Sequence, residues 1–183
     1  MNACSWVDHR HAPVYRVVRA GWVDPLDASF SRQRPDNRWN TPEFPALYCA
    51  CSELVARAVV LDVFRLAGVE LADLQAAACP QLVEVAWQGC VVDMISPDGI
   101  AAAGFPAAYP AGVLKETTRR QALVWHSAGA EGIVCRNASL YRQGLRQWLG
   151  PHERWGELAI FRANSGTAPA LRRRREDLDW LRL

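Results

Sequence analysis

The twelve residues from Asn37 to Tyr48, NRWNTPEFPALY, bring together side chains suited to holding a nucleotide. Arg38 carries a planar fork of donors that fits a phosphate or a carboxylate. Trp39 and Tyr48 offer flat faces on which a heteroaromatic base or a sugar can rest. Asn40 adds an amide that both donates and accepts. Pro42 and Pro45 stiffen the loop that leads to Tyr48. The same residue types also serve a plainer purpose, with Arg38 in a structural ion pair and Trp39 filling a core.

Other side chains could do chemistry. Arg16 lies inside the apolar run VYRVVR, where it either points to solvent or reaches a ligand. His126 sits between Trp125 and Ser127, a setting typical of a structural hydrogen-bonder. Cys135 is next to Arg136, but no nearby His would activate it as a nucleophile. The run Arg172 to Arg175 reads as a solvated helix face, offset by Glu176, Asp177 and Asp179.

These residues need elements to position them. Val14–Arg19 reads as a strand, followed by a long polar loop from Ala20 to Asn37, expected to be functional or mobile. Ala46–Cys51 is a second strand. Ser52 is an N-cap, Glu53 favours the positive end of the helix dipole, and Gly68 stops the helix. Leu82–Trp87 and Cys90–Ile95 read as strands, and Gln88-Gly89 between them suggests a hairpin. A short helix starts at Ser96-Pro97, and a polar-start helix runs from Lys115 to Ala128. Gly132–Arg136 and Glu157–Arg162 are strands, and a charged helix is expected over about 172–183. Helices and strands mix without strict alternation, which favours an α+β domain with a mixed sheet over a doubly wound one.

Bulk properties narrow the function classes. The 183 residues suit one domain over 1–183, with its core at about 14–162. Half the residues are hydrophobic, too many for a disordered chain. A net charge of +2 does not by itself call for nucleic acid. No apolar run would span a bilayer, and MNACSWVDHRH is no signal peptide. The cysteines at 4, 49, 51, 79, 90 and 135 form no CxxC pair and no zinc spacing with His, so they read as reduced, mostly buried thiols.

Taken in order, several stretches form a pattern: VYRVV with Arg16, then NRWNTPEFPALYCACS, then an amphipathic helix. QGCVVDMISPDGI (88–100), GAEGIVCRNAS (129–139) and ELAIF (157–161) follow. This order resembles the RES domain family, from about Val14 to Phe161. The resemblance implies a cytoplasmic bacterial toxin with a fold like that of ADP-ribosyltransferases. It also implies cleavage of the nicotinamide–ribose bond of NAD+ by phosphorolysis or hydrolysis. NAD+ is then substrate, with no resident cofactor and no metal. The implied partner is a helix-turn-helix antitoxin, with no membrane and no direct nucleic-acid contact; homo-oligomerisation stays open.

By position, Arg16 and Arg38 match the family's two basic residues and Tyr48 its aromatic one. Trp39, Asn40 and Arg136 join Arg16, Arg38 and Tyr48 as expected substrate contacts. Two positions depart from the pattern. The family Glu falls on Val59, and the family Ser falls on Asn137. Asn137 keeps a donor and an acceptor, and Asp62, one helical turn past Val59, is the substitute carboxylate expected from sequence. The expected catalytic set is therefore Arg16, Arg38, Tyr48, Asn137 and Asp62. The alternative is a nucleotide-binding or partner-binding module whose site has eroded at Val59.

Overall fold

The computed structural model describes residues 6–9, 13–33, 37–144, 155–176, 178 and 180. Its centre is a mixed sheet of β1 (Trp6–His9), β2 (Val14–Arg19), β3 (Ala46–Ala50), β4 (Pro80–Ala86), β5 (Gly89–Met94), β6 (Gly132–Arg136), β7 (Gly156–Phe161) and β8 (Ala170–Arg175). The strand order is β1-β5-β6-β7-β3-β2-β4-β8. Among the described residues only β5 and β6 pair in parallel. Among the described residues four helices accompany the sheet: α1 (Glu53–Ala67), α2 (Pro97–Ala102), α3 (Lys115–Ser127) and α4 (Ala138–Arg142). The fold is α+β with a mixed sheet, as the pattern of elements implies.

The strands sort their side chains by simple alternation. Leu47 and Cys49 of β3, Val14 and Val18 of β2, and Leu158 and Ile160 of β7 share one apolar cluster with Val91 of β5 and Val134 of β6. Residues from distant strands meet in that cluster, so the sheet curls onto this face. The other face carries two more clusters. One holds Ala46, Ile133, Ala159 and Phe161 against Trp39, Tyr109 and Trp125. The other packs Ala50 and Leu82 against Val55, Ala56 and Val60 of α1 and against Trp180.

Helix α1 is set at both ends by its own residues. Ser52 accepts from the Val55 N–H at 3.3 Å. Gly68 adopts φ +65°, and the Val69 N–H reaches back to the Phe64 carbonyl at 3.1 Å. That six-to-one closure needs a left-handed residue, which glycine supplies without strain.

Several sequence expectations are corrected. The segment at 172–175 is strand, not helix: β8 pairs with β4, Leu82 opposite Arg175. Pairing with a neighbour overrides the helical preference of a run of arginines. Residues 177, 179 and 181–183 of the expected helix lie outside the described residues, as does Cys4. No hairpin joins β4 to β5, since β4 pairs with β2 and β8 while β5 pairs with β1 and β6. Gly89 is there for space: a Cβ would run into the Trp87 ring. The loop at 20–33 is a packed cap. Trp22, Leu26 and Ala28 seat against the first cluster, and Ser29–Gln33 forms a 3-10 turn.

Candidate functional site

The segment from Asn37 to Tyr48 is fixed by one hydroxyl. The Trp39 N–H donates to Tyr48 Oη at 2.8 Å, and Tyr48 Oη donates to Asn40 Oδ1 at 3.0 Å. The Asn40 amide in turn donates to the Ser31 carbonyl at 2.9 Å. Asn40 is buried and serves this network, not the expected ligand contact. Trp39 is buried too, with its Nε1 donating to Cys135 Sγ at 3.1 Å and its ring among Phe105, Tyr109 and Trp125. Burial pushes the Cys135 thiol up to about 12, so it is no nucleophile.

Locking this loop to β3 leaves Arg38 at the edge of a cavity of about 740 Å³. That size lies within the roughly 300–1,000 Å³ usual for small-molecule sites. The walls include Arg38, Tyr48, Val59 and Glu157, with Ser139 and Arg142 of α4 and Lys115 of α3. Among the described residues, the Arg38 guanidinium makes one long hydrogen bond, 3.4 Å to the Val113 carbonyl. Most of its fork is left to face the cavity.

Glu157 enters the cavity from β7. Ala50 lies opposite Glu157 and Tyr48 opposite Ala159, so Tyr48 and Glu157 share one face of the sheet as diagonal neighbours. The Asn137 amide donates to Glu157 Oε2 at 3.2 Å. Asn137 is itself pinned as the N-cap of α4, its Oδ1 accepting from the Leu140 N–H at 2.9 Å. Burial raises the Glu157 carboxyl above the ordinary glutamate value, opposed by Arg38, Asn137 and Arg142.

Asp62 takes no part in the wall. It is buried, its Oδ1 accepting from Arg65 at 2.9 Å and its Oδ2 from Arg142 Nε at 2.8 Å and from Arg142 Nη2. Burial works against its charge, but the bonds from Arg142, Arg65 and Ser139 prevail and hold the carboxyl below its ordinary value. It is a structural anion that aims Arg142 at the cavity.

The RES domain family matches the chain over residues 13–180. The chain belongs to the RES domain family. A chain in the crystal structure of the M. tuberculosis MbcT–MbcA toxin–antitoxin complex has the same fold, with a TM-score of 0.68 and 19% identity over 89% of this chain and 82% of that one. No curated protein matches the chain.

Within this RES domain, two arginines expected at the site are placed elsewhere. Tyr15 pairs with Ala50 and so shares the Tyr48 face, which turns Arg16 to the opposite one. Arg16 is buried there, donating to the Asp27 carbonyl at 2.9 Å with its guanidinium 5.6 Å from the Trp22 ring centre. It ties the capping loop to the core. Arg136 is spent on carbonyls: Nε donates to Ile95 at 2.9 Å, and Nη1 to Ala107 and Tyr109 at 3.0 Å each. Asn137 lies behind Glu157 and does not line the wall.

Glu157, Ser139, Arg142 and Lys115 also line the cavity and are not among the site residues expected from the sequence. For Glu157 there was a signal, since a charged residue opens a strand whose following residues all read as buried. His126 stacks on Phe44 with ring centres 4.2 Å apart, and burial lowers its pKa. Among the described residues no group of His, Cys, Asp or Glu could hold a metal ion, and no helix is long and apolar enough to cross a membrane.

Proposed function

We propose that the chain is a toxin-type enzyme that consumes NAD+ by cleaving its nicotinamide–ribose bond. The observation that carries this reading is the meeting of an available Arg38 fork and the Tyr48 ring in one cavity of about 740 Å³ that also holds an acid. In this reading Arg38 grips the pyrophosphate bidentately. The Tyr48 ring supports the nicotinamide or its ribose, while its hydroxyl is engaged with Trp39 and Asn40 and keeps the ring in place. Lys115 and Arg142 add positive charge to the wall. A negative group near the sugar carbon favours the cation that forms as the bond breaks.

The proposal extends to a cytoplasmic protein and to a helix-turn-helix antitoxin as partner, supported by family membership and by the fold shared with a chain of a toxin–antitoxin complex. A second reading, a nucleotide- or partner-binding module without turnover, draws on Val59, which puts an apolar side chain on the wall.

Expression in a bacterial host tests the first reading. Induction should arrest growth and deplete cellular NAD+, and Arg38→Ala should relieve both. Normal growth with undiminished NAD+, at full expression of folded protein, would contradict it and favour the binding module.

A further inference from the structure

The helix position at which a carboxylate is expected carries Val59, and the nearest helix carboxylate, Asp62, has both oxygens bound by arginines. Glu157 occupies the vacant role from another element. It stands with Val59 and Tyr48 in the wall of the main cavity and of a smaller adjoining one of about 120 Å³. Its backbone is held between two paired strands, opposite Ala50 of β3 and Cys135 of β6. Gly156 beside it permits that approach, since a Cβ there would lie 2.7 Å from Ile95 and 3.0 Å from Val134. One carboxylate oxygen is steered by Asn137, and Oε1 has no hydrogen bond among the described residues.

We propose that Glu157, delivered by β7, is the carboxylate that faces the sugar carbon during bond cleavage, and that Asn137 is its positioning residue. This rests on the NAD+ reading of the cavity. The chemistry balances without further reagents. The carbon–nitrogen bond breaks with its electron pair going to the pyridinium nitrogen, so neutral nicotinamide leaves. The ionised Glu157 stabilises the sugar cation. An oxygen of water or phosphate then bonds to the carbon. With water, the departing proton goes to Glu157 and on to solvent; phosphate dianion attacks without that transfer. Asn137 keeps the carboxylate ionised and aimed by hydrogen-bonding its charged form.

Titratable groups near Glu157 come from several elements. Arg38 lies on the loop and Arg142 on α4, with Tyr48 on β3, Cys135 on β6 and Tyr109 from the cluster around Trp39, while Cys49 of β3 belongs to the opposite face of the sheet. Both tyrosines and both thiols are pushed upward by burial and stay neutral where a carboxylate titrates.

The test compares the purified protein with Glu157→Gln and Asn137→Ala, following nicotinamide release from NAD+ with and without phosphate across pH. ADP-ribose binding by calorimetry and a thermal melt accompany each variant. Glu157→Gln should lower the rate by about 10²–10³, with ADP-ribose binding and folding preserved. The acid limb of the wild-type rate profile should vanish in Glu157→Gln. In Asn137→Ala it should move to higher pH, a change that a merely structural role would not produce. Active wild type with an undiminished Glu157→Gln rate would overturn the assignment while leaving the NAD+ reading intact. Wild type that neither cleaves NAD+ nor binds ADP-ribose would overturn both.

Discussion

Replacing Asp62 with asparagine separates a structural anion from a catalytic one. Each Asp62 oxygen accepts from an arginine, at 2.9 Å from Arg65 and 2.8 Å from Arg142 Nε. Hydrogen bonds to charged groups contribute about 1.5–3 kcal/mol each. Breaking a fully buried pair costs about 3–5 kcal/mol because a charge is stranded. Here the arginine side chains are 62% and 42% exposed, so both can return to water. In Asp62→Asn the remaining carbonyl oxygen could still accept from Arg142, but the new amide would present a donor to Arg65. The expected loss is about 2 kcal/mol, which for this chain length lowers Tm by roughly 4–8 °C.

The pH dependence has a definite sign. The folded Asp62 carboxyl titrates below its ordinary value. Its contribution is therefore full above the unfolded pKa near 4 and is lost as pH falls through the folded value. Calorimetric melts of wild type and Asp62→Asn should differ clearly at pH 7 and converge in acid. Equal Tm at pH 7, or a gap unchanged by acid, would refute this ion-pair reasoning.

Other substitutions read out neighbouring parts of the site. Tyr48→Phe strands the buried Trp39 N–H and should cost about 1–3 kcal/mol in urea unfolding; an unchanged midpoint would show that the hydroxyl bridge carries no stability. Glu157→Gln should raise Tm at pH 7, because it removes the cost of burying the charged carboxylate. Because burial raises the folded Glu157 value, the charged form costs stability as pH rises. The gain should therefore fade in acid, and a loss at pH 7 would contradict it. In a Glu157→Gln background, Val59→Glu returns a carboxylate to the same wall and should recover part of the lost cleavage rate; no recovery would mean that the two positions do not serve the same atom.

Local signals were legible where one residue decides one bond. Ser52 and Gly68 bracket α1 because a cap and a left-handed stop are chemical properties of those residues. The alternation in VYRVVR gave β2, but alternation alone does not say which face meets the cavity. Residue type alone puts Arg16 at a phosphate, whereas the register of Tyr15 with Ala50 turns it to the face opposite Tyr48. β1, β8 and α4 depend on partners distant in sequence or on short capped turns. Asp62 and Glu157 differ in setting for a similar reason. Both are carboxylates near Arg142, and only packing reveals that one is fully bound while the other keeps an oxygen toward the cavity.

Release of nicotinamide from NAD+ by the purified protein tests the central claim most directly. Chromatography should show free nicotinamide accumulating well beyond one equivalent of protein, with Arg38→Ala reducing the rate. No nicotinamide above a protein-free control, with and without phosphate, would contradict an NAD+-consuming site.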